Sequence, residues 1–172
     1  MRNIIDYWPR PQFRPFHRRS ARLACIVTHR RAGKTVACIQ ELQRAAIECK
    51  QVRPRFAYLS PFLKQSKAVA WDYLRDAVAP LRRHRATVHE SELRVDYSNG
   101  GQVRLYGADN PDAMRGIYLD GIVLDEYADM DRRVVGDHPA RARRPARMIR
   151  RSVSGSPIRS CATLRSERAN RR

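Results

Sequence analysis

Thr28-His29-Arg30-Arg31-Ala32-Gly33-Lys34-Thr35 is the stretch that decides the fold. It follows Leu23-Ala24-Cys25-Ile26-Val27, a short apolar run of the kind expected of a strand buried on both faces of a sheet. It precedes a segment in which Val36, Ile39, Leu42, Ala46 and Cys49 recur at helical spacing, which predicts an amphipathic helix over about 35–50. A polar loop that leaves a buried strand and opens a helix is the setting of a phosphate-binding loop. The general pattern is GxxxxGK[ST], and here Thr28 stands in the place of the first glycine. The remaining demands are met: Gly33 lets the backbone approach a phosphate, Lys34 brings a positive charge to its oxygens, and Thr35 offers a hydroxyl to Mg²⁺. The helix N-terminus adds its own attraction for an anion.

The rest of the chain extends this pattern. Phe56-Ala57-Tyr58-Leu59 is a second buried strand, stopped by Ser60-Pro61. Val69, Tyr73 and Ala77, with Ala70 and Leu74, form a second helical stripe that ends near Pro80. Leu93, Val95 and Tyr97 alternate with polar residues, as do Val103 and Leu105, and Ser98-Asn99-Gly100-Gly101 between them is a hairpin turn. Ile122-Val123-Leu124 is one more buried strand, ending in Asp125-Glu126. This order predicts an α/β fold: a P-loop NTPase with a mainly parallel sheet flanked by helices and an inserted β-hairpin, incomplete at its C-terminus.

Asp125-Glu126 supplies the second half of a nucleotide site. An acid at the end of a buried strand holds the metal, and its neighbour positions or deprotonates the attacking water. Two carboxylates there also suit the start of a helix. Paired with the loop upstream, they point to hydrolysis, because binding alone has no need of Glu126.

Charge divides the chain unevenly. Its 172 residues carry 35 Lys+Arg against 17 Asp+Glu, a net charge of +18, and only Lys34, Lys50, Lys64 and Lys67 are lysines. The last 39 residues hold 11 Arg and no Lys against Asp137 and Glu167, so half of the excess sits in under a quarter of the chain. That segment has no sustained period of 2 or 3.6. The expected organisation is a partial ATPase domain over 1–133 and an Arg-rich tail over 134–172, disordered or read out of frame. Reverse translation permits the second option: Gly136 to Pro145 can be encoded so that the frame one base ahead reads Glu-Ile-Ile-Arg-Pro-Ala-Leu-Ala-Asp-Arg.

No apolar run approaches 18 residues, so no membrane span is expected. The short Met1 to Tyr7 segment, followed by Pro9, Pro11 and Pro15, does not resemble a secretory signal. Cys25, Cys38, Cys49 and Cys161 form no CxxC pair and read as reduced core residues of a cytosolic protein.

Several segments, in one order, resemble the large terminase subunit of tailed bacteriophages, the motor that packages DNA into the procapsid. They are Pro9-Arg10-Pro11-Gln12-Phe13-Arg14-Pro15-Phe16-His17, the loop His29 to Thr35, and Ser60-Pro61 with Lys64-Gln65 and Ala70-Trp71-Asp72-Tyr73-Leu74. Tyr106 to Gly116, leading into Asp125-Glu126-Tyr127-Ala128-Asp129-Met130, completes the set, which spans about 7–133. The resemblance implies ATP and Mg²⁺ as cofactors. It implies that Gln12 contacts the adenine, that Gly33, Lys34 and Thr35 hold the phosphates, and that Arg30 reaches the γ-phosphate. Thr35 and Asp125 would hold the metal, Glu126 would be catalytic, and Arg115 would be an arginine finger acting on a neighbouring subunit. Arg115 is open to a second reading, as a DNA-backbone contact or a surface ion pair. The implied partners are double-stranded DNA, the portal, the small terminase subunit and further copies in a ring, in the cytoplasm of a bacterial host. A counterpart of the family's coupling motif after Asp125-Glu126 and a carboxylate-rich nuclease domain are both missing from the sequence. Two other readings compete: a helicase-like P-loop ATPase, sharing Lys34, Asp125 and Glu126, and a non-catalytic basic nucleic-acid-binding protein, for which the charge speaks.

Overall fold

The computed structural model describes residues 7–81, 86–114 and 116–130, together with the backbone of 147–152. An N-terminal arm, with a 3₁₀ turn at Pro11–Phe13 and helix α1 at Arg14–Arg18, leads into β1 at Leu23–Val27. Helix α2 spans Lys34–Glu48 and is followed by β2 at Arg55–Ser60. A continuous helical segment then runs through α3 at Leu63–Gln65, a π-helical stretch at Ser66–Trp71 and α4 at Asp72–Val78. Strands β3 (Ala86–His89), β4 (Arg94–Tyr97), β5 (Gln102–Gly107), β6 (Gly121–Leu124) and β7 (Arg147–Ser152) complete the set.

One sheet holds all seven strands in the order β1-β7-β6-β2-β5-β4-β3. β1, β7, β6, β2 and β5 run parallel, and β4 and β3 extend the sheet antiparallel beyond β5. The mainly parallel α/β sheet expected from the sequence is therefore present, and its hairpin is one half of a three-stranded meander. β3 escaped the sequence reading because 86–89 is short and carries Val88 as its one large aliphatic residue.

Strand alternation divides the core between the two faces. Phe56, Tyr58, Val103, Leu105 and Val123 pack with Ala37, Cys38, Ile39, Leu42 and Ala46 of α2 and with Leu74 and Val78 of α4. Ala57, Leu59, Tyr106, Met114, Ile122 and Leu124 gather on the opposite face. Burying each such aliphatic side chain contributes about 1.5–3 kcal/mol, so α2 is held chiefly by its inward stripe. The hairpin turn adds a cap: Asn99 Nδ2 donates to the carbonyls of Ala46 and Ile47 at 2.8 and 3.0 Å, satisfying acceptors at the end of α2.

Three expectations change. β1 is not buried on both faces: Leu23 and Val27 are 47% and 55% exposed and Cys25 is exposed, because among the described residues only the α2 side of this strand is covered. Cys38 alone of the described cysteines is a fully buried core residue, and Cys161 lies outside the described residues. In the second helical segment Ala70, Leu74 and Val78 face the core, whereas Val69 and Tyr73, one residue earlier at the same spacing of four, are exposed. Within the Arg-rich segment, Arg147–Ser152 form β7, hydrogen-bonded between β1 and β6, and the rest of 134–172 lies outside the described residues.

Candidate functional site

β1 and β6 run in the same direction, so the loop after Val27 and the acids after Leu124 both leave the C-terminal edge of the sheet. That edge, outside the carboxyl ends of the strands, is where open α/β sheets bind ligands. Gly33 takes φ 95°, the left-handed conformation that lets the loop turn into α2, and Arg31 shares that region at φ 61°. Successive backbone N–H groups in such a turn form a concavity for an anion.

Lys34 and Thr35 open α2 and are buried, at 4% and 8% exposure. The Lys34 ammonium donates to the carbonyls of Thr28 and His29 at 2.7 and 2.9 Å, which fixes it across the loop. Arg30 is exposed on the loop, and its carbonyl lies 2.6 Å from His29 Nδ1.

On the acidic side, Asp125 is buried at 6% exposure, and Tyr58 donates its hydroxyl to Asp125 Oδ2 at 2.5 Å. The Asp125 amide donates to the Leu59 carbonyl at 2.8 Å, extending the β2–β6 pairing by one residue. Glu126 sits in the left-handed region at φ 53°, a position that costs a non-glycine residue energy and turns its side chain out of the strand line. Gln65 Nε2 donates to Glu126 Oε2 at 2.6 Å. Gln65 in turn depends on how closely α3 approaches β5. A Cβ on Gly107 would meet Asp109 Oδ1 at 2.0 Å and the Leu63 amide nitrogen at 2.4 Å, so only glycine admits this approach. Asp109 Oδ1 then accepts the Leu63 N–H at 3.2 Å.

The N-terminal arm reaches the same loop. Arg10 donates through one guanidinium nitrogen to the Ala32 carbonyl at 3.1 Å. Gln12, two residues on, is exposed in the 3₁₀ turn. The arm is tied to α2 by Glu41, which is 1% exposed. His17 Nδ1 and an Arg44 nitrogen lie 3.0 and 2.7 Å from its Oε2, and an Arg19 nitrogen lies 3.0 Å from its Oε1. Burial alone would raise the pKa of Glu41, but the hydrogen bonds from His17 and Arg44 and the charges of Arg44 and Arg19 outweigh it and hold it below the ordinary glutamate value.

Among the sequence-predicted site residues, Gly33, Lys34, Thr35 and Arg30 share one loop after β1, Asp125 and Glu126 share the end of β6, one strand beyond β7 on the same sheet edge, and the arm carrying Gln12 touches the loop through Arg10. Arg115 lies outside the described residues. The Thr35 hydroxyl and the Asp125 carboxylate are hard oxygen donors of the kind Mg²⁺ prefers, so the residues present fit that ion. Among the described residues no cluster of three or more His, Cys, Asp or Glu side chains forms another metal site. Sequence reasoning gave no role to Arg10, Tyr58, Gln65 or Glu41. Only Tyr58 carried a signal, as a polar group inside a buried apolar run.

No family model matches the chain, and no curated protein matches it. Solved structures do. The large terminase of the thermophilic bacteriophage D6E superposes with a TM-score of 0.66 at 19% identity, over 77% of this chain and 34% of that one. The large terminase ATPase domain of Thermus phage P74-26 gives 0.67 at 18% identity, over 90% of this chain and 68% of that one. The HK97 bacteriophage large terminase gives 0.65 at 13% identity, over 90% and 34%. The chain thus has the fold of a large-terminase ATPase domain, and it spans about a third of the length of the D6E and HK97 proteins.

Proposed function

We propose that this chain is the ATP-binding and hydrolysing core of a bacteriophage DNA-packaging motor of the large-terminase type. The observation that carries the reading is the meeting, at one sheet edge, of a buried Lys34-Thr35 helix start with a buried Asp125 and a hydrogen-bonded Glu126. A D6E large terminase of the same fold has been solved with ADP and with ATP-gamma-S, which supports nucleotide as the ligand.

In this reading Gly33 and Lys34 cradle the phosphates and Gln12 contacts the adenine. Thr35 and Asp125 would hold Mg²⁺, which when bound supplies positive charge to the phosphate oxygens. Glu126 positions and deprotonates water, and Arg30 faces the γ-phosphate. Arg115 is assigned the arginine finger across a subunit boundary. Gln65 matters most for the choice between enzyme and passive binder. A carboxylate held by an amide 2.6 Å away is oriented, and orientation of a base serves turnover more than binding. Double-stranded DNA is the partner that suits the basic surface, and the ring, the portal and the small subunit belong to the same reading. No helix among the described residues is long and apolar enough to cross a membrane.

The test is calorimetry of Mg-ATP binding to the wild-type chain and to Lys34→Ala. Losing one charge-assisted phosphate contact should weaken affinity by about tenfold or more. Equal affinities would count decisively against this site.

A further inference from the structure

The N-terminal arm presents a cation to the loop that the assigned roles do not use. Arg10 lies between Pro9 and Pro11 and takes the extended conformation, φ −55° and ψ 148°, that a following proline favours. Its carbonyl accepts the Phe13 N–H at 2.9 Å, and Phe13 is buried at 3% exposure, so the backbone that follows Arg10 is fixed. Further along, the arm is clamped to α2 through the Arg19–Glu41 ion pair and the hydrogen bond between His17 and Glu41. The Arg10 side chain then crosses to the start of that same helix. One nitrogen donates to the Ala32 carbonyl at 3.1 Å. Its Cζ and Nη1 lie 3.7 Å, and its Nε 3.8 Å, from the place a Cβ on Gly33 would occupy. A guanidinium carries five donors in a planar fork suited to phosphate oxygens, and the bond to Ala32 uses one of them.

We propose that Arg10 is a further phosphate-binding residue, a cation delivered by the arm to the outer side of Gly33, opposite the buried Lys34. The inference rests on the nucleotide-binding reading of the loop and deepens it. The arm then does two things at once: it brings Gln12 alongside the site, and it closes the phosphate cradle with a charge held by a different segment from the loop itself. Arg10 is exposed, so its charge is offered to the mouth of the site, whereas Lys34 is enclosed by its own loop.

The alternative is that Arg10 is a strap that holds the arm to the loop through Ala32 and touches no ligand. The two roles differ in how the effect depends on phosphate number. Calorimetry with adenosine, AMP, ADP and ATP in Mg²⁺ should show Arg10→Ala weakening ADP and ATP by about ten- to a hundredfold, the range of a hydrogen bond to a charged group. Adenosine should be unchanged, and Arg10→Lys should restore part of the loss, since a lysine keeps the charge but not the fork. Circular-dichroism melting of each variant checks that the fold is retained, and Arg10→Lys decides the matter if Arg10→Ala does not fold. An equal loss for adenosine and ATP, or no loss for either, would overturn the proposal. Failure of the underlying reading looks different: the wild-type chain would then bind no nucleotide, or Lys34→Ala would bind as well as wild type, and both conclusions would fall together.

Discussion

At Glu126 a single hydrogen bond separates two functions. A carboxylate that only neutralised charge near a phosphate would gain nothing from the Gln65 amide 2.6 Å away, and the left-handed backbone at φ 53° would be strain without return. If Glu126 is the base, Glu126→Gln keeps ATP bound while turnover falls by about 10² to 10⁴, because the metal-side Asp125 is untouched. Gln65→Leu should lower kcat by a smaller factor and leave KM nearly unchanged, since it frees the base without removing it. Steady-state hydrolysis by a chain extended through its next reading frame is the measurement, and wild-type turnover in Glu126→Gln would sink the assignment. The positions of Lys34, Asp125 and Glu126 were legible in the sequence because Lys34 closes a polar loop between a buried strand and a helix and the two acids end an apolar run. Gln65 and Arg10 were not. Each acts at a distance in sequence, 61 and 22 residues from its partner, and nothing local marks an exposed arginine or a short-helix glutamine as different from any other.

The elements hang together through α2, which is at once the core helix, the end of the phosphate loop and the anchor of the N-terminal arm. Glu41 makes that anchor. Its carboxylate is almost wholly enclosed and is matched by Arg19, Arg44 and His17, so removing its charge leaves cations facing a neutral group. Breaking a buried pair in this way costs about 3–5 kcal/mol. Glu41→Gln should therefore lower the urea midpoint strongly at pH 7. The pH dependence follows from the depressed pKa: the stabilisation is fully present above the unfolded glutamate value of about 4.3 and is lost as pH falls through the lower folded value. Wild type and Glu41→Gln should converge in stability at acidic pH, and a gap that persists unchanged to pH 3 would show that the carboxylate's charge is not what holds the arm. Period-3.6 reasoning found α2 to within two residues of its ends, yet read Val69 and Tyr73 as inward. Val69 and Tyr73 stand one residue before Ala70 and Leu74 at the same spacing of four, so periodicity marked both rows as apolar and could not say which of them the sheet covers.

For the whole molecule, the strand order poses the sharpest question. β7 lies between β1 and β6, with parallel partners on both sides: Ala24 and Val123 in register with Ile149, Cys25 and Leu124 in register with Arg150. Central parallel strands read as near-continuous apolar runs, because helices cover both faces of such sheets. β2 and β6 obey this, with Phe56-Ala57-Tyr58-Leu59 and Ile122-Val123-Leu124. β7 reads Arg147-Met148-Ile149-Arg150-Arg151-Ser152, with arginine at half of its positions. The backbone position is that of a core strand, and the sequence is not that of one. The same segment belongs to the 39 residues with 11 Arg and no Lys, a composition that GC-rich coding DNA gives when read in a wrong frame. We propose a frameshift near residues 131–134 as the account that joins these facts, with the domain's own residues encoded in the frame one base ahead. The competing account is a genuine Arg-rich segment that binds nucleic acid by charge. They part at the nucleotide level. Sequencing from codon 130 onward should find that the frame one base ahead opens with an acidic–apolar helix and then, opposite codons 147–152, a run of Val, Ile, Leu or Phe. A stop codon before that point, or polar codons opposite β7, would return the arginines to the protein as its own.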